Sequence, residues 1–96
     1  MANYRNKKII KFARGQICQF QGPTCSYNND TVVFCHLDEM FAGKGTGIKS
    51  HDFAGFFGCH NCHTYYHNAI PKITDWLALR AVVRTLAILF NEGVIK

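Results

Sequence analysis

Acidic residues are scarce in this chain: six Asp and Glu stand against eleven Lys and Arg, for a formal net charge of +5. That balance favours an acidic partner, and nucleic acid is the commonest one inside a cell. Long apolar runs are missing too. The most apolar stretch, Trp76 to Phe90, is interrupted by Arg80 and Arg84 and is shorter than the about 20 helical residues that span a bilayer, so no membrane association is expected. The basic start with Arg5, Lys7 and Lys8 lacks the apolar run of about 7–15 residues that completes an export signal. The expected location is therefore the cytoplasm. Internal repeats and low-complexity segments are absent as well. With 48% hydrophobic residues, 18% charged residues, eight Phe and four Tyr, the composition excludes a disordered chain.

At 96 residues the chain fits one domain, which buries only roughly 60–70% of its unfolded surface. A covalent or metal staple would help it. Five cysteines in a reducing compartment read as metal ligands or reactive thiols before disulfides, and the odd count agrees.

The pattern along the chain is that of a small α+β domain. Residues 1–12, with Arg5, Lys7, Lys8 and Lys11 around Ile9, Ile10 and Phe12, read as a basic N-terminal arm or as the lead-in to a first metal loop. Cys18 and Cys25 bracket a Gly22-Pro23 turn signal. Thr31 to Cys35 is β-branched and aromatic and predicts a short strand delivering His36 at its end. A glycine-rich basic loop follows from Ala42 to Ser50, and Phe53 to Gly58 can return as a second strand. His60, His63 and His67 then recur at helical spacing ahead of Pro71. Thr74 can cap a last helix from Asp75 to about Asn91, ended by Gly93. That helix is apolar on most sides, with Arg80 and Arg84 as its polar edge, so it is a core helix that could also use part of its surface to form a homodimer.

Closed tetrahedral zinc sites are built from two pairs of thiolates, each pair on one turn. Cys59-x2-Cys62 has that spacing, and Cys18-x6-Cys25 is wider but can be closed by Gly22-Pro23. These four cysteines are the expected ligands of one structural Zn2+; buried free thiols are the plain alternative. The run Cys59-His60-Asn61-Cys62-His63 also matches a c-type haem attachment pattern, but that reading needs export and leaves Cys18 and Cys25 without a role. A redox Cys-x-x-Cys lacks the preceding strand-and-crossover pattern. All five histidines, His36, His51, His60, His63 and His67, lie in one stretch. His63 and His67 are four apart, on one helical face, where they can bind one cation together. The Gly43-Lys44-Gly45-Thr46-Gly47 loop fails the phosphate-loop pattern and reads instead as a flexible basic loop.

In this order, the strand ending at His36, the basic loop, the second strand, Cys59-x2-Cys62-His63 and His67 resemble the HNH, or ββα-metal, nucleases. More narrowly, the chain resembles the YbcO-like nuclease family of phages and prophages. That resemblance rests on Ala13-Arg14-Gly15-Gln16, Cys18, Cys25, His36, the Gly-Lys loop, Asp52, Cys59-x2-Cys62-His63 and the ending Glu92-Gly93-Val94-Ile95-Lys96. It implies a zinc-stapled ββα-metal fold with an additional C-terminal helix. It also implies a metal-dependent endonuclease acting on DNA, with His36 as general base and His63 and His67 as ligands of a catalytic divalent cation (Mg2+, Mn2+, Ni2+ or Zn2+). The central Asn of the motif has no counterpart, since His51-Asp52 occupies that region, and Cys35 stands before His36. Asp52 could orient His36 or complete the metal shell, and His51 with Asp52 is an alternative centre. Arg14, Lys44 and Lys49 could hold the phosphate backbone. The alternative to a nuclease is a non-catalytic, zinc-stabilised nucleic-acid-binding or accessory module.

Overall fold

A computed structural model describes residues 3–39, 42–68 and 71–95, the last of these with side chains from 76 onward. The described elements are α1 (Lys7–Ala13), a 3-10 turn (Asn29–Thr31), β1 (Val33–His36), β2 (Gly55–Gly58), α2 (His60–Asn68) and α3 (Pro71–Asn91). The architecture is α+β.

The two strands pair antiparallel, with Phe34 opposite Phe57 and His36 opposite Gly55. Gly55 is required there: a Cβ on it would sit 2.4 Å from the Cys35 carbonyl oxygen and 2.6 Å from the Phe34 ring. Phe56 and Phe57 point to opposite faces and are both fully buried, because both faces of the hairpin are covered. Phe56 stacks on Phe20 with ring centroids 5.2 Å apart and meets Tyr66 edge-on at 5.5 Å. Phe57 packs beside Phe12 of α1.

The outer edge of β2 is closed by two elements distant in sequence. Its Phe57 N–H donates to Thr85 Oγ1 on α3 at 3.0 Å, and the Phe57 carbonyl accepts from Gln19 N–H at 2.8 Å. An unpaired sheet edge is thus satisfied internally, and the Gln19 bond fixes where the neighbouring Cys18 stands.

Residues 1–12, expected as an arm or lead-in, contain a helical turn from Lys7 that packs into the core. Asn6 caps α1 by accepting the Lys8 N–H at 3.0 Å, and Ile9 and Ala13 are fully buried. The apolar spacing of Ile9 and Ala13 (i, i+4) explains this, since it gives the short helix one core-facing side. The first strand begins at Val33 instead of Thr31, because Asn28 caps the 3-10 turn ahead of it.

The last helix also starts earlier than the sequence suggested, at Pro71 instead of Asp75. Proline's fixed φ and missing N–H suit a first helical turn, which outweighs the cap offered by Thr74. The Thr74 and Asp75 side chains lie outside the described residues. At its far end Gly93 adopts φ +73°. Val94 N–H returns to the Leu89 carbonyl at 2.9 Å and Gly93 N–H to that of Phe90 at 3.1 Å, closing α3 as glycine-terminated helices do. Among the described residues, no helix is long and apolar enough to cross a membrane.

Candidate metal cluster and polar groove

Four sulfurs converge where the Cys18 segment meets the start of α2. The Sγ atoms of Cys18, Cys25, Cys59 and Cys62 all lie within 4.8 Å of one another, and Cys25 and Cys59 are 3.8 Å apart. A tetrahedron with metal–sulfur bonds of 2.3 Å has edges of about 3.8 Å, so the spacing suits one metal ion. The Gly22-Pro23 signal forms the turn that narrows the wide first pair, with Cys25 N–H bonded to the Gly22 carbonyl at 3.1 Å. Cys62 N–H donates to Cys59 Sγ at 3.5 Å.

The four thiols also shift one another's protonation. A hydrogen bond from Cys62 holds the Cys18 thiol down at about 4, and the same bond, with burial, pushes Cys62 far up. Burial raises Cys25 to about 11. At Cys59, burial acts upward but is outweighed by hydrogen bonds from Ser26 and Cys62, leaving its pKa lowered. Two sulfurs are thus pushed toward thiolate at the expense of the other two. A bound divalent ion removes that conflict by stabilising all four thiolates. The cluster can hold a metal ion such as zinc. The fifth cysteine, Cys35, is a fully buried residue of β1 and is not one of this group. Burial raises its pKa, which makes it a packed thiol of low reactivity.

On the other side of the α2 start lies a polar groove with a cavity of ≈ 510 Å³. His36, Asp52, His63, His67, Lys44 and Lys49 all line it, so six residues singled out from sequence are brought together. His36 Nε2 lies 2.7 Å from Asp52 Oδ1. The Asp52 side chain is 7% exposed and that of His36 20%. Asp52 is saturated with donors. Its Oδ1 also accepts from Arg5 Nη1 at 3.2 Å, and its Oδ2 accepts the Asn6 N–H at 2.7 Å. Burial alone would raise the Asp52 pKa, but the bonds from His36 and Asn6 and the charges of His36 and Arg5 hold it below the usual carboxylate value. An ionised Asp52 accepts from Nε2–H, which leaves His36 Nδ1 as the basic nitrogen.

Across the groove His63 and His67 sit one turn apart on α2, ring centroids 4.8 Å from each other. Burial, then the neighbouring His67, His60 and His36, lower the His63 pKa, so it is a neutral donor at neutral pH. Asp38 approaches the same point, with Oδ2 3.9 Å from His67 Nδ1 and Oδ1 3.9 Å from Lys44 Nζ. Its backbone N–H is fixed by Tyr66 Oη at 3.1 Å. Among the described residues the four cysteines are the one group of three or more donors close enough to share an ion; here the two histidines adjoin and Asp38 stands beside His67.

Two sequence candidates stand elsewhere. His51 Nδ1 accepts the Tyr4 N–H at 3.0 Å, and its ring stacks on Phe53 at 4.8 Å; it ties the N-terminal segment to the loop and is not in the groove lining. Arg14 is exposed at the end of α1 and does not line the groove either. Sequence reasoning missed Arg5, which clamps the loop by donating to the Lys49 and Ser50 carbonyls and to Asp52. It also missed Asp38. The position of Asp38 two residues after the strand-ending His36 was a readable signal, but the link from Arg5 to residue 52 crosses 47 positions and has none.

The family described as "Putative nuclease YbcO" matches residues 7–94. "Putative nuclease YbcO" of Escherichia coli K12 is 34% identical over 97 aligned positions, covering 92% of this chain and 96% of that protein. The protein of the same description from Enterobacteria phage 82 gives the same figures. A solved structure described as a putative bacteriophage protein from Escherichia coli K-12 MG1655 superposes with a TM-score of 0.68 at 30% identity, covering 88% of this chain and 99% of that one. By sequence and by fold, this chain belongs to the YbcO nuclease family.

Proposed function

We propose that this protein is a metal-dependent endonuclease of the HNH, or ββα-metal, type that hydrolyses DNA phosphodiester bonds, with a structural Zn2+ on Cys18, Cys25, Cys59 and Cys62. The observation that carries the reading is the groove shared by the hydrogen-bonded His36–Asp52 pair and by His63 and His67. A non-catalytic binding module has no use for that arrangement. The five unpaired thiols suit the reducing interior of a bacterial cell, where phage and host DNA are at hand.

His36 Nδ1 takes a proton from water as the water oxygen attacks phosphorus, and the P–O3′ bond breaks. Asp52 holds the imidazole in the tautomer that can do this and steadies the imidazolium that forms; with all its donors in place it orients His36 instead of binding metal. Such a base contributes about 100- to 10,000-fold. His63 and His67 would hold a divalent cation, which would supply charge neutralisation at the phosphoryl and leaving oxygens. Lys44 and Lys49 grip the backbone without reading bases, which suits weak sequence preference.

The test is a cleavage assay on plasmid and single-stranded DNA with Mg2+, Mn2+, Ni2+ or Zn2+, run beside His36→Ala. Metal-dependent cleavage lost in the variant supports the reading. Salt-sensitive binding with no cleavage under any cation would establish the accessory module in its place.

A further inference from the structure

The core-facing side of α3 is formed by Ala78, Ala81, Thr85 and Leu89, all buried. The opposite side should be polar in a helix that ends at solvent, and it is not. Trp76, Leu79, Val83 and Phe90 are 65%, 64%, 59% and 62% exposed, and Ala87 beside them is exposed too. At 3.6 residues per turn these five form one stripe under about 90° wide. Arg80 flanks one end of the stripe, its guanidinium 4.9 Å over the Trp76 ring while Nη2 donates to the Phe20 carbonyl at 2.8 Å. Arg84 similarly reaches Gln21 Oε1.

The order of residues along the stripe is symmetric about Val83. Trp76 and Phe90 lie seven positions to either side of it, and Leu79 and Ala87 lie four to either side. An antiparallel second copy related by a twofold axis through Val83 therefore sets Trp76 against Phe90, Leu79 against Ala87 and Val83 against Val83. Large side chains oppose large ones at the ends, and the small centre lets the helices approach closely. This is the self-complementarity a twofold interface requires, and the seven-residue spacing is that of paired helices. Across two copies the four large side chains expose roughly 600–900 Å². The stems of Arg80 and Arg84 bring the total to about the 1,000 Å² that a specific interface needs.

We infer that the chain forms a homodimer through antiparallel pairing of the outer face of α3, with Val83 on the twofold axis. Among the described residues none of α3 lines the groove, so the inference stands apart from the nuclease reading.

Sedimentation equilibrium at tens of micromolar tests it, using the zinc-loaded full chain. Wild type is expected at twice the chain mass. Val83→Glu and Val83→Lys, each placing like charges against one another across the axis, are expected to be folded monomers with at least tenfold weaker association. An equimolar mixture of the two is expected to regain a dimer that neither forms alone, because Glu then faces Lys. Unchanged circular dichroism and metal content confirm that each variant is folded. A monomeric wild type, a Val83→Glu dimer as tight as wild type, or a mixture that stays monomeric would each overturn the proposal.

Discussion

The two ends of helix α2 make opposite use of the same chemistry. At its start Cys59 and Cys62 are fully buried beside Cys18, sealed by Phe20 and the β2 edge. One turn on, His63 is half-buried, and a further turn on His67 has a side chain 36% exposed in the groove. Both places offer soft or borderline metal donors, yet the first gathers four sulfurs, three of them buried, and the second opens into the groove. Structural metal sites are closed and catalytic ones keep an open position. On the proposed function one short helix would join stability to catalysis, and perturbing its two ends should then give unlike results.

The largest effect is expected at the buried end. Binding of a structural zinc ion is worth about 10–16 kcal/mol in small domains, as much as the whole stability of a typical one at about 5–15 kcal/mol. Cys62→Ser, or a strong chelator, should therefore unfold the chain. Circular dichroism and metal analysis read this, and a Cys62→Ser protein that stays folded with one zinc bound would break the division between the two ends.

At the open end the fold should survive. His36→Ala is expected to lower cleavage about 100- to 10,000-fold while the melting temperature and zinc content stay close to wild type. His67→Ala should lower activity less and be partly restored by raising the divalent ion, as mass action requires for a weakened ligand set. If metal rescues His36→Ala and not His67→Ala, the proposed roles of the two histidines are reversed.

How legible this was from sequence follows from how local each signal is. Cys59-x2-Cys62 and His63-x3-His67 lie within single helical turns, and their spacing alone places their side chains. The wider Cys18-x6-Cys25 pair was readable because Gly22 marks the turn that closes it. The strands were found near their true positions, although the Asn28 cap shifted the first by two residues. Pro71 misled for a physical reason: a proline that ends one helix is equally suited to begin the next. The groove was only half legible. Asp52 could be named, but its choice between orienting His36 and binding metal depends on Arg5 and on the Asn6 N–H, which reach it from 46 or 47 positions away. His51 and Arg14 do not line the groove, because stacking on Phe53 and the end of α1 decide where they sit.

That same Asp52 hub gives the smallest expected effect and the sharpest test of how the groove is held. Its side chain is nearly buried and accepts from His36, Arg5 and the Asn6 backbone. Because its folded pKa is depressed below the ordinary value of 3.8, the unfolded chain binds the proton more readily than the folded one. The stability it contributes is therefore fully present above about pH 4 and is lost as the pH falls through the lower folded value. Asp52→Asn should cost roughly 1.5–3 kcal/mol at neutral pH, the range for hydrogen bonds to a charged group, and flatten the part of acid destabilisation that Asp52 supplies. Thermal melts of wild type and variant between neutral pH and pH 3 measure both. If the gap in melting temperature fails to narrow on acidification, Asp52 is not ionised in the fold. It could not then keep the proton on His36 Nε2, and the assignment of Nδ1 as the base would fail with it.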